Sequence, residues 1–244
     1  MKINTWQEPC STTLLTNQYM NKIKYIAAVV IGIAGLGLQQ AKADTIAFDL
    51  GTGNAAISGF PGPYAHVVVD RTDATHATIT FTSLTNSGRI YLMGGAQAVD
   101  VNVNATSWTI GSFAATKPAA GFSSVIGNLS NGGANNADGF GSFNQTVDNF
   151  DGFTHSWSSI SFVLTNTSGT WATASSVLTA NASGFLAAAH IFVTTSPANP
   201  SNGALATGFA RNGGTPGVPD GGTTAMLLGA ALGALGMARR FLKI

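Results

Sequence analysis

The chain has 244 residues, 45% of them hydrophobic and only 9% charged, against about 25% charged in a typical soluble domain. Its net charge of +1 is polarised: between Asp44 and Gly217 four basic side chains stand against eight acidic ones, a net of −4, while most of the positive charge lies at the two ends. An acidic middle excludes nucleic-acid binding, which needs a basic patch to displace counterions. The lone Cys10 excludes a disulfide framework and a cysteine zinc site.

Residues 1–19 hold one lysine and no apolar run, and read as an extension or as sequence upstream of a start at Met20. From Met20 the pattern changes. Lys22 and Lys24 open it, Tyr25 to Leu38 are apolar, and Ala41-Lys42-Ala43 place small residues where a signal peptidase cuts. Residues 20–43 are therefore a signal peptide, with cleavage between Ala43 and Asp44. The apolar run is shorter than the ~20 residues of a membrane-spanning helix.

Residues 44–217 are expected to be one exported domain. Their periodicity is two. Strands are predicted over 66–72, 77–84, 89–94, 98–110, 156–166, 171–180 and 184–195. In 77–84, Ile79 and Phe81 share one face, with Thr78, Thr80 and Thr82 on the other. In 98–110, Val99, Val101 and Val103 face one way and Asp100, Asn102 and Asn104 the other. Trp157 is out of step with Ile160, Phe162 and Leu164, which marks a bulge or a strand start. Only the alanine-rich 185–190 suits a helix as well. Short strands separated by Gly, Asn and Ser turns predict an all-β fold, an antiparallel β-sandwich of jelly-roll type. The Gly-, Asn- and Asp-rich stretch 111–156 is expected to be a long loop or a set of short edge strands.

Four kinds of site are worth placing on this domain. Asp138, Asp148 and Asp151 are candidate calcium ligands, because calcium takes six to eight oxygens and Asp-rich loops supply them; the competing reading is a cluster of Asx turns. Trp108, Trp157 and Trp171 are candidate sugar-stacking side chains, against a role as core aromatics. His66, His76, His155 and His190 have no metal-ligand spacing, and His190 reads as a satisfied buried imidazole. Ser, His and Asp are all present, but there is no G-x-S-x-G elbow and no strand–helix alternation to hold one. No resident cofactor and no enzymatic activity are expected.

The end of the chain, residues 218–244, is a second non-domain segment. Val218-Pro219-Asp220-Gly221-Gly222 is turn chemistry. Thr224 to Ala238 are apolar or small, and Arg239, Arg240 and Lys243 close the chain. As a helix that run spans about 22 Å at ~1.5 Å per residue, to be lengthened by snorkelling arginines, which the positive-inside rule keeps cytoplasmic.

This layout of motif, short apolar helix and terminal arginines resembles the PEP-CTERM sorting tail, in its VPDSG variant, with Gly221 where that variant has serine. The resemblance covers little more than a tenth of the chain. It implies processing by an exosortase, a membrane-embedded cysteine transpeptidase of Gram-negative bacteria that make exopolysaccharide. It further implies transient anchoring in the inner membrane, then release or re-anchoring at the cell surface or in the extracellular matrix. Gly221-Gly222 before a helix also suits a second tail class cut by a rhomboid-type protease; Val218-Pro219-Asp220 favours the first. Signal peptidase, an exosortase-like enzyme and extracellular polysaccharide are the expected partners. The domain itself then reads as a structural or adhesive module, with a carbohydrate-binding module and a secreted hydrolase as the alternatives.

Overall fold

A computed structural model describes residues 44–213. Twelve antiparallel strands build it: β1 (Asp44–Gly53), β2 (Ala65–Arg71), β3 (His76–Ser83), β4 (Thr85–Asn86), β5 (Arg89–Met93), β6 (Val99–Val101), β7 (Trp108–Thr116), β8 (Ser130–Ala137), β9 (Gly141–Asp148), β10 (Ser159–Asn166), β11 (Ala187–Thr195) and β12 (Ala206–Asn212). They form one hydrogen-bonded sheet in the order β7-β10-β3-β2-β1-β12-β11-β6-β9-β8, with the β4–β5 hairpin attached to β11.

Alternation drives the burial. Across β1, β2, β3 and β10 the register aligns Ile46, Val69, Ile79 and Phe162 in one row and Phe48, Val67, Phe81 and Ile160 in the next. All of these are buried except the partly buried Phe48. The intervening Thr78, Thr80 and Thr82 take the outer face, as the sequence pattern predicts. Tyr91, Met93, Val99, Val101, Val147, Ile191 and Val193, from the other half of the path, belong to the same core. The sheet is thus folded over on its own apolar face, which is how a sheet with one greasy side removes that side from water.

The predicted all-β antiparallel class is what the chain adopts. The two halves are not separate sheets, however, since β12 bonds β1 on one side and β11 on the other. A register shift in β1 between Leu50 and Thr52 bends the sheet at this joint. At the far ends of the path β7 and β8 approach each other. Trp108 Nε1 on β7 donates to Gln145 Oε1 on β9 at 2.8 Å, so the sheet is nearly closed.

Several predicted elements change. The strand expected over 98–110 divides into β6 and β7. The amide of Asn144 takes the place of a neighbouring strand at Val103, its Oδ1 accepting from the Val103 N–H and its Nδ2 donating to the Val103 carbonyl. The strand expected over 171–180 shrinks to an isolated bridge of Leu178 with Val103, preceded by a 3₁₀ turn at Ala174–Ser176 with a Thr173–Ser176 capping box. Trp157 pairs with Met93 as an isolated bridge and is 1% exposed, which explains its broken phase. Of the alanine-rich 185–190, the residues from Ala187 onward are strand and open β11. The stretch 111–156 supplies the end of β7 and the β8–β9 hairpin, with β8 an edge strand. Strands β1 and β12 lie outside the predicted set.

Candidate functional site

The most unusual chemistry lies where β6 runs between β11 and β9. Asp100 stands opposite Ala188 on one side and Thr146 on the other. The alternation read from the sequence holds, but the face carrying Asp100 is covered, and this residue is 0% exposed. Its Oδ1 accepts from Thr146 Oγ1 at 2.9 Å, while Oδ2 is buried with no donor. Burial pushes the carboxyl well above the usual carboxylate range; the Thr146 hydroxyl opposes that shift and the nearby Asp148 charge adds to it.

Asp148, two residues beyond Thr146, shares this face of β9. Its Oδ1 accepts the Gln97 N–H at 3.0 Å. Gln97 is held in the left-handed region at φ 62°, and its Oε1 is buried without a partner. Behind the carboxylate the Gly132 backbone is so close that a Cβ there would stand 2.6 Å from the Asp148 carboxyl carbon.

The carboxylates singled out in the sequence do not gather. Asp138, exposed in the β8–β9 turn, accepts from Asn54 Nδ2 at 3.3 Å. Asp148 closes the far end of β9, roughly 24 Å away at ~3.4 Å per residue. Asp151 turns back to accept the Gly152 N–H at 2.8 Å. The hairpin separates the first of the three from the others, which sequence proximity concealed. Among the described residues no three His, Cys, Asp or Glu side chains are grouped to hold a metal ion.

The tryptophans pack in or against the core rather than standing free on the surface. Trp157 and Trp171 lie in the core, 1% and 2% exposed. Trp171 Nε1 donates to the Asn104 carbonyl at 2.8 Å, and the half-buried Trp108 is tied to Gln145. Each apolar ring gains more from burial than from solvent. Trp171 instead backs an open groove of about 610 Å³ whose polar lining includes Asn104, Thr106, Ser168, Thr170 and Thr179.

The histidines divide by environment. His190 Nδ1 lies 2.9 Å from the Gly94 carbonyl and Nε2 2.8 Å from Thr207 Oγ1. Burial lowers its pKa, so the neutral ring donates through Nδ1 and accepts from Thr207. This is the satisfied imidazole expected from the sequence. His66 Nδ1 meets Asp49 Oδ1 at 2.6 Å across β1 and β2, with both side chains exposed. Thr82 and then Ser159 continue that row on β3 and β10. Asp, His and hydroxyl side chains therefore line up on an open outer face rather than in a pocket. The second such contact, His76 with Asp73, sits in the β2–β3 turn; there the Thr75 N–H, with His76, holds the Asp73 carboxyl far below its usual range.

Of the residues assigned from the sequence to the two predicted targeting segments, only Asp44 falls within the described residues. It is the first residue of β1. Ala41 and Ala43, the motif Val218-Pro219-Asp220-Gly221-Gly222, the apolar run and Arg239–Arg240 lie outside them. Among the described residues no helix is long and apolar enough to cross a membrane.

A family model described as the VPDSG-CTERM motif matches residues 217–241. No curated protein and no solved structure matches the chain. Residues 217–241 thus carry a VPDSG-CTERM motif, a PEP-CTERM-like sorting signal that implies an exported protein, processed by an exosortase-like enzyme and destined for the cell surface.

Proposed function

We propose that residues 44–217 are a non-enzymatic structural or adhesive module of the cell surface or extracellular matrix in an exopolysaccharide-producing Gram-negative bacterium. The signal peptide starts export, the C-terminal apolar segment holds the chain briefly in the inner membrane, and an exosortase-type transpeptidase then cuts near Val218–Gly222. The observation that carries this reading is the sorting motif at 217–241.

The character of the domain supports the non-enzymatic part. Two open grooves, the one of about 610 Å³ in front of Trp171 and another of about 560 Å³ beside Pro197 and Pro200, have no titratable side chain in their lining. Acid–base catalysis needs such groups within reach of substrate, and the Asp49–His66 pair faces open solvent instead.

A carbohydrate-binding role is the second reading. The groove in front of Trp171 favours it, because amides and hydroxyls of Asn104, Thr106, Ser168 and Thr170 match the hydrogen-bonding needs of sugar hydroxyls. The discriminating experiment is fractionation of cells expressing the full chain and a chain truncated after Gly217, followed by pull-down of the full chain on the host exopolysaccharide. Surface recovery that depends on 218–244 supports the sorting route, and intact protein in the cytoplasm contradicts it. Polysaccharide retention lost in Thr170→Trp, which fills the groove, would favour the second reading over the first.

A further inference from the structure

We propose that the junction of β6 and β9 is a calcium site, with Asp100, Asp148 and Gln97 supplying side-chain oxygens. The first support is the state of Asp100. A carboxyl oxygen removed from water with no donor beside it is costly, and structures rarely leave one so. Oδ2 of Asp100 is such an atom, in a residue 0% exposed.

The second support is that Asp148 and the Gln97 bonded to it also offer oxygens. Gln97 Oε1 is also buried without a partner. Asp148, two residues beyond the cross-strand partner Thr146, lies diagonally across the β6–β9 ladder from Asp100 on the same face. A divalent ion would displace the proton that burial favours on Asp100, balance the charge of both carboxylates and give the orphaned oxygens a partner. Oxygen-only donors select a hard cation over zinc or copper. Calcium tolerates an irregular set completed by carbonyls and water, whereas magnesium demands near-ideal octahedral geometry at ~2.0–2.1 Å.

The third support is that the arrangement is held in place. Gln97 adopts the left-handed backbone that is unfavourable for a side-chain-bearing residue, and in doing so turns its N–H onto Asp148. Gly132 backs the same carboxylate where no Cβ fits. The site draws on a strand and a hairpin far apart in sequence, so it differs from the Asp138–Asp148–Asp151 set suggested by local spacing and shares only Asp148 with it. With two carboxylates it belongs to the weak class of extracellular calcium modules, with Kd of about 10⁻⁴–10⁻³ M.

The test is calorimetric titration of the purified full chain with calcium and with magnesium, beside Asp148→Asn, Asp100→Asn and Asp138→Asn. The expected result is one calcium per chain with Kd of about 10⁻⁴–10⁻³ M, weaker magnesium binding, and at least roughly tenfold loss in Asp148→Asn with unchanged circular dichroism, a loss of ~1.4 kcal/mol or more. Asp100→Asn should weaken binding likewise, and Asp138→Asn should leave it intact. If Asp100→Asn fails to fold, the half-buried Asp148→Asn decides alone. No binding by the wild type at millimolar calcium, or wild-type affinity in Asp148→Asn, overturns the site.

Discussion

Asp44 and Arg71 are cross-strand partners whose side chains meet at 2.7 Å, Asp44 Oδ1 accepting from Arg71 Nε, with the Arg71 side chain only 4% exposed. The register places Arg71 beside Ala77, which in turn pairs with Leu164, so the guanidinium closes one end of the inner face. Asp44 Oδ2 also accepts the Ala174 N–H at 2.8 Å and ties the 174–176 turn to β1. The residue expected to follow signal cleavage is therefore a structural clamp at the head of β1.

Asp44→Ala should destabilise the domain by about 1–3 kcal/mol. It removes the carboxylate that accepts from both the buried Arg71 Nε and the Ala174 N–H, at a site part-open to solvent on the Asp44 side. Urea unfolding of the purified chain measures the change, and Asp44→Glu should recover part of it.

Asp100 predicts a pH dependence with a definite sign. Its folded pKa is raised, so the folded state holds the proton more tightly than the unfolded chain. Its contribution is fully present below the unfolded value of about 3.9 and is lost as pH rises toward the folded value. The charge acting on it is that of Asp148, with Thr146 as its hydrogen-bond donor. Asp100→Asn should therefore gain stability relative to wild type as pH rises from acid to neutral. Unfolding midpoints of both proteins across that interval, without calcium, check this. A parallel pair of curves would contradict it.

Gly95→Ala should destabilise by about 1–3 kcal/mol. Gly95 has φ 77°, and a Cβ there would stand 2.8 Å from His190 Nδ1, the atom that holds the Gly94 carbonyl. Thermal unfolding reads the loss, and the His190 proton resonances should shift with it.

The Trp108–Gln145 hydrogen bond predicts a local effect. Gln145 is 3% exposed, and its Nε2 also donates to Asn131 on β8 at 2.8 Å. Gln145→Ala should loosen the seam where the sheet nearly closes. Amide exchange should quicken in β7 and β8 while β2 and β3 stay protected.

The part of this architecture legible in the sequence was the part set by alternation. Ile79 against Thr80, and Val99 against Asp100, assign faces correctly, because side chains alternate strictly along a strand. What lies over each face is a tertiary fact, and Asp100 shows the limit: its face was right and its burial unforeseen. Asn144 standing in for a strand partner at Val103 is likewise invisible locally, so β6 and β7 read as one strand. The β8 sequence SNGGANNA has neither β-branched nor aromatic residues, and its pairing comes from the β9 partner alone. The tail was legible for a different reason: a sorting signal is read as a linear segment, so its information stays local.

The measurement that bears most directly on the account is intact mass and terminal sequencing of the protein recovered from the cell surface and medium. The account predicts a chain beginning at Asp44 and ending within Val218–Gly222. A mature species that retains Arg239 and Arg240 would contradict it, because the tail would then be a permanent anchor rather than a processed signal.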